Sequence, residues 1–187
     1  MKQRKLAVKG DKEKSAKVFG DRIEKPKLIE AQRAVEEGNL LKAVDIYAKL
    51  GEKEELRKIA ELLEGQGRFL DAGWAYEKAG LDEKALEMYI HADALEPYCG
   101  HGQRIALIFE GLGKIEEAMQ VCLETADRFE KLIENDQAWI RTLINFYSQA
   151  MEYCERLEKP NMGKQMRIRT RLVELCMKVD GEKEDLK

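Results

Sequence analysis

The chain has 187 residues, of which 44% are hydrophobic and 37% are charged. That length is enough for one domain of ordinary size with a real core, and four cysteines are too few to define a small disulfide-built fold. The net charge of −3 hides an asymmetry, because residues 1–27 hold ten Lys and Arg against four Asp and Glu, a balance of +6 that leaves −9 for the remainder.

The first segment, residues 1–25, is rich in lysine and poor in large apolar residues, so we expect a flexible, basic arm. No apolar run follows its basic residues, as it would in a secretory signal, and no later run is long enough to span a membrane. The cysteines form no C-x-x-C pair, and three of them fall on predicted apolar helix stripes. These features favour a reduced, cytoplasmic protein.

Residues 26–134 predict a series of short helices. Their ends are marked by glycines, which adopt the left-handed conformation that follows a helix more easily than other residues do. Glycine ends recur every 13 to 16 residues, and Asn39 and Asp82 are predicted to cap the helices that follow two of them. The predicted helices lie at about 26–37, 40–50 and 53–64, on either side of Gly80 within 67–97, and at 103–111. Turns this short force neighbouring helices to be antiparallel.

From Lys114 onward the helices lengthen and glycine nearly vanishes. The apolar spacing predicts helices at about 114–134, 136–158 and 161–179, with Pro160 before the last helix and Gly181 after it. We expect residues 135–180 to pack against or cap the preceding repeats. Residues 181–187 are predicted to form a charged, frayed tail.

One stretch resembles the tetratricopeptide-repeat family. Phe69-x2-Ala72-Gly73-x2-Tyr76, then Ala85-x3-Tyr89, then Pro97 match that family's W-x2-L-G-x2-Y, A-x3-F and P pattern, with Phe69 and Ala72 in place of Trp and Leu. Weaker copies flank this stretch without a steady 34-residue period, which is similar to the irregular repeats of vesicle-coat and intraflagellar-transport scaffolds. The resemblance implies an all-α fold, a right-handed superhelix of antiparallel helix pairs with about nine helices.

The resemblance also implies a groove that binds a partner peptide or helix and is lined by the first helix of each pair. The matching positions are Arg57, Glu61, Leu70, Trp74, Gln103 and Leu107. They lack the paired Lys and Asn of the subclass that clamps a terminal carboxylate, so the sequence disfavours that activity. Trp74 lies off the main apolar stripe, so it is either a groove anchor or a core residue of a helix that is packed on two faces.

A second candidate surface is basic. Lys164, Arg167, Arg171 and Lys178 fall on one face of the last helix and, with the N-terminal arm, would contact phosphates. The other interpretation is an ordinary solvated face, because no aromatic residues are interleaved to stack on bases.

Searches for catalytic and metal motifs find none in the sequence. His91, Cys99 and His101 are the one cluster of soft ligands, and they lack the fourth ligand that a metal site needs. With two histidines and no nucleotide-binding or zinc-protease motif, we expect neither an enzyme nor a bound cofactor or metal.

The sequence therefore favours a non-catalytic scaffold or adaptor with a protein partner. The alternative is a nucleic-acid or ribonucleoprotein-associated factor that uses the arm and the basic face. A third hypothesis is a segment of a larger solenoid assembly, with the C-terminal helices as an oligomer interface.

Overall fold

The computed structural model describes residues 25–96, 101–132 and 139–185, so the predicted arm lies almost wholly outside the described residues. Every regular element in these ranges is a helix, which confirms the all-α prediction. The helices are α1 (25–36), α2 (Leu40–Leu50), α3 (Lys53–Gly65), α4 (Phe69–Ala79), α5 (Asp82–Leu95), α6 (His101–Gly111), α7 (Ile115–Leu132), α8 (Ile140–Arg156) and α9 (Met162–Asp185).

Five of the turns between helices share one hydrogen-bonding pattern. After α2, the Gly51 amide donates to the Ala48 carbonyl at 3.3 Å and the next amide, that of Glu52, donates to Tyr47 at 3.0 Å. This is a Schellman turn, which requires a left-handed residue at its glycine. The φ angles of 72° to 76° meet that requirement at Gly38, Gly51, Gly67, Gly80 and Gly113.

The residue after each of these glycines also begins the next helix. Glu52 completes the turn of α2, and its carbonyl accepts the first hydrogen bond of α3, from the Leu56 amide at 3.1 Å. The same double role falls to the residue after each of the other four glycines. A turn of two residues leaves no length for a crossover, so the helices that it joins are antiparallel neighbours. The predicted likeness to tetratricopeptide-like helix–turn–helix repeats is confirmed at this level.

Two details of the predicted helix ends differ. Asn39 caps α2 as predicted, since its side chain accepts from the Lys42 amide at 3.3 Å. Asp82 lies inside the first turn of α5, because Leu81 completes the Gly80 turn and therefore takes the capping position. The last helix does not end at Gly181 but continues to Asp185.

The chain divides into two compact units, Met1–Ala85 and Leu86–Lys187, with the boundary inside α5. In the first unit α3 packs extensively on α4, and α2 contacts both. Small residues on α4 let these helices approach closely, since Ala72, Gly73 and Ala75 are buried. Tyr76 fills the space beside them and donates its hydroxyl proton to Glu64 Oε2 at 2.6 Å.

The second unit packs α6 on α7, α7 on α8 and α8 on α9. Its core includes Phe129 stacked on Phe146 with ring centroids 5.8 Å apart. α6 approaches α7 very closely at Gly102, where an added Cβ atom would lie 2.1 Å from Thr125 Oγ1. Thr125 is fully buried and accepts a hydrogen bond from Arg128.

We therefore expect Gly102→Ala to destabilise the protein by about 2 kcal/mol, the range of an overpacked core. Thr125→Ala in the same chain removes the clashing hydroxyl and methyl groups and should recover part of that loss, as a double-mutant cycle in urea would measure. Gly111→Ala is the control, because a Cβ atom there meets nothing within 4 Å. Equal losses for the Gly102 and Gly111 variants would contradict the close approach.

Candidate functional site

The groove positions on α3 form a local charge cluster. Arg57 donates to Glu54 through Nε at 3.2 Å and through Nη2 at 2.5 Å, and its Nη1 donates to Glu61. These hydrogen bonds raise the pKa of Arg57 above its ordinary value. All three side chains are solvent-exposed to a third or more, so the cluster stabilises α3 only modestly. Arg57 and Glu61 are thus brought together, but each already has a partner.

The groove positions on α4 present apolar surface instead. Leu70 and Trp74 lie one helical turn apart, on the side of α4 that faces away from Ala72 and Tyr76. Leu70 is 47% exposed and Trp74 is half-buried. Trp74 is therefore neither a fully packed core residue nor a freely solvated one.

The last two groove positions lie on α6 in the second unit. Gln103 and Leu107 repeat the one-turn spacing, and both are exposed, Leu107 to 45%. Their neighbours Ile105 and Ala106 are buried, so α6 has one face in the core and one in solvent.

Three of the four basic-face residues line one cleft. Its volume is about 740 Å³, and its walls are α7 and α9. Lys164, Arg167 and Arg171 contribute to the α9 wall, and Tyr147 of α8 lies at the base. Lys178, the fourth predicted residue, is exposed and does not line the cleft.

Arg171 is tied to carboxylates. Its Nε donates to Glu130 Oε1 at 2.6 Å and its Nη1 donates to Glu174 at 2.7 Å. The Tyr147 hydroxyl also donates to Glu130 Oε1, at 2.8 Å. Burial, followed by this hydrogen bond, raises the pKa of Tyr147, and the two carboxylates raise the pKa of Arg171. The charge of Arg171 is therefore compensated within the protein.

Lys164 and Arg167 differ from Arg171, because neither forms an ion pair with any residue that the structure describes. Lys164, together with Gln120, also lines a second depression of about 450 Å³ beside Phe109 and Val121. The two depressions thus meet at Lys164, whose ammonium group forms no ion pair within the described part of the chain.

A polar network that joins α6 to α8 was not found in the sequence. Glu110 accepts hydrogen bonds from Arg156 and, at 2.9 Å, from the Tyr153 hydroxyl. The hydrogen bond from Arg156, followed by that from Tyr153, lowers the pKa of Glu110. Burial raises the pKa of the nearby Cys122 thiol to about 12. Such a thiol stays protonated and inert near neutral pH. The bonded residues are more than 40 positions apart in the sequence, so no local sequence pattern predicts these hydrogen bonds.

The soft-ligand cluster of the sequence is not assembled among the described residues. His101 is 7% exposed, His91 is exposed on α5, and Cys99 lies outside the described residues. Within the described ranges there is no group of three or more His, Cys, Asp and Glu side chains placed to hold a metal ion. No helix in the same ranges combines the length and the apolar character needed to cross a membrane.

No family model and no curated protein matches the sequence. Among solved structures, the chain is similar to one described as the crystal structure of MamA protein, with 12% identity, coverage of 86% of this chain and 94% of that chain, and a TM-score of 0.44. A second structure, described as the crystal structure of MamA, has 14% identity, coverage of 82% and 96%, and a TM-score of 0.40. A likeness at this level carries no argument about function.

The intermediate burial of Trp74 sets its expected contribution to stability. Trp74→Ala should lower the free energy of unfolding by about 1–2 kcal/mol, well below the 3–5 kcal/mol of a core aromatic residue. Tyr76→Ala on the same helix should reach that larger loss, because Tyr76 is fully buried. Urea unfolding of both variants makes the comparison, and equal losses would place Trp74 in the core.

The Glu110 network predicts a pH dependence of stability. In the folded protein the pKa of the Glu110 carboxyl lies below its ordinary value of 4.5. The ionised carboxylate therefore stabilises the fold above pH 4.5, and this stabilisation is lost as pH falls through the lower folded pKa. Glu110→Gln should therefore cost about 1 kcal/mol at pH 7 and much less near pH 3. Glu117→Gln, at an exposed residue without an ion pair in the described chain, should show no such difference.

Proposed function

We propose that this protein is a non-catalytic scaffold that binds a partner peptide or helix through the groove positions on α4. The observation that carries the proposal is the pair Leu70 and Trp74, two large apolar side chains left partly exposed one turn apart on the outward face of α4. In the second unit, taken by itself, Leu107 of α6 is likewise an exposed apolar side chain at one of the predicted groove positions.

The chemistry of these positions suits a protein ligand. Tryptophan is one of the residues enriched at binding hot spots, and Leu70 extends the apolar surface beside it. A partner helix contacts such a surface through residues spaced three and four apart, and an extended peptide contacts it through alternate side chains. The charged pair Arg57 and Glu61 on α3 would then contribute more to selectivity than to affinity, because both charges are already partnered.

The function that we propose involves no chemical reaction. The sequence contains two histidines, and the structure buries one of them and leaves the other on the outer surface of α5. In the second unit, the carboxylates of Glu110 and Glu130 hold helices together through arginine and tyrosine partners.

The alternative, a nucleic-acid-associated factor, has weaker support. A phosphate backbone favours a run of uncompensated cations. In the α7–α9 cleft only Lys164 and Arg167 meet that description among the described residues, while Arg171 is paired and Asp127 and Glu130 line the opposite wall. These carboxylates would repel phosphate, so the cleft favours a ligand of mixed charge.

Two leucines of equal exposure provide the test. Leu70→Glu places a charge on the proposed groove, and Leu62→Glu places the same charge on α3 outside it; the wild-type side chains are 47% and 46% exposed. Partners captured by the wild-type chain after nuclease treatment should be identified, purified and titrated against both variants. Leu70→Glu should weaken binding at least about tenfold, and Leu62→Glu should leave it unchanged.

Recovery of nucleic acid from an untreated lysate, with no protein captured after nuclease treatment, would overturn the proposal in favour of the alternative. Equal affinity for both variants would show that a protein partner binds elsewhere. Circular dichroism of each variant checks that the helices remain intact.

A further inference from the structure

The second unit has a face whose two helices carry opposite charge. On α7, Glu116, Glu117 and Asp127 are exposed and form no ion pair with any described residue. On α9, the first ten residues, from Met162 to Arg171, contain four basic residues and no acidic one. Of these, Lys164 and Arg167 are likewise without an ion pair in the described chain. Two unneutralised charged ridges therefore lie side by side.

Apolar side chains lie between the two ridges. Leu123 of α7 is half-buried and Met166 of α9 is 69% exposed, and both line the cleft above the buried Ile168. An exposed apolar strip rimmed by charge is the composition of a protein–protein interface.

The charges are arranged so that the face complements itself. α7 and α9 run in the same direction, because they meet at two points that come in the same order along both helices. They are also level, because Lys164 shares both depressions with Gln120 and Arg171 bonds to Glu130. A two-fold axis parallel to these helices therefore lays α9 of one copy along α7 of the other. Unpaired cations then meet unpaired carboxylates twice, as in an isologous interface.

We propose that this α7–α9 face binds a second copy of the chain and forms a closed dimer. The face is two helices wide and as long as α7, which has 18 residues. That is roughly 20 Å by 27 Å in projection, the same order as the roughly 800 Å² per partner of a specific interface. The face is distinct from the groove positions on α4 and α6, so the dimer does not depend on the proposed partner binding.

Charge reversal in two separate chains tests the pairing. Lys164→Glu/Arg167→Glu makes both ridges acidic, and Glu116→Lys/Asp127→Lys makes both basic. Each variant alone should dissociate, with the dimer dissociation constant raised roughly 100-fold or more by like-charge contact. Mixed together, they should form a heterodimer, because both of its contacts are then attractive. Sedimentation velocity of the full chain measures all three samples against the wild type, which should be a dimer of 21.5 kDa subunits.

Lys131→Glu/Arg169→Glu is the control, since it changes the net charge by the same amount on exposed positions of α7 and α9 that do not line the cleft. It should leave the dimer intact. A wild-type chain that stays monomeric at the highest concentration measured would overturn the proposal, and so would a dimer that survives both reversals or two reversed chains that fail to pair.

Discussion

The recurring glycine turn is the constraint on which this structure depends. In each of the five turns, the residue after the glycine makes two hydrogen bonds. Its amide donates to the last turn of the preceding helix, and its carbonyl accepts the first hydrogen bond of the following helix. The glycine in front of it must take a positive φ angle, which a side chain would strain by roughly 1–2 kcal/mol. Because the glycine and the residue after it complete the whole turn, the direction of the chain reverses within two positions. Antiparallel packing of the joined helices then follows without any contribution from the core.

That constraint explains why the sequence predicts so much of the fold. Glycine position is visible in the sequence, and the ends of α2, α3 and α4 follow from Gly51, Gly67 and Gly80 to within a residue or two. The failures have the same origin. Asp82 is a good capping residue by type, but the Gly80 turn has already assigned the cap to Leu81. Gly181 has the right type for a helix end, yet Glu182, Lys183 and Glu184 follow it, and these are good helix formers that let α9 continue.

The candidate sites divide in the same way, between what periodicity predicts and what it cannot. Spacing along one helix places Leu70 beside Trp74 and groups Lys164, Arg167 and Arg171 on one face, and the structure agrees with both groupings. The spacing of residues along one helix does not predict which side chains lie opposite them on a neighbouring helix. Glu130 lies 41 positions before Arg171, and only the packing of α7, α8 and α9 shows that it compensates that arginine. The basic face predicted from one helix is therefore a mixed-charge cleft once its second wall is present.

The high charge content has a structural meaning that the net charge does not convey. On α3 the charges pair with each other within two turns, as Arg57 does with Glu54 and Glu61, and such exposed pairs contribute little. On α6, α7 and α8 they pair between helices, where Glu110 and Glu130 each accept a tyrosine hydroxyl as well as an arginine. Those carboxylates fix the register of adjacent helices, because a shift by one turn would leave them unpaired near the core.

The unpaired ridges of α7 and α9 differ from both kinds of paired charge. They are charged in opposite senses, level with each other, and divided by apolar side chains, and their charges take no part in the ion pairs that join helices among the described residues. A second copy of the chain, related by a two-fold axis, presents the same arrangement in reverse order and so can neutralise both ridges at once.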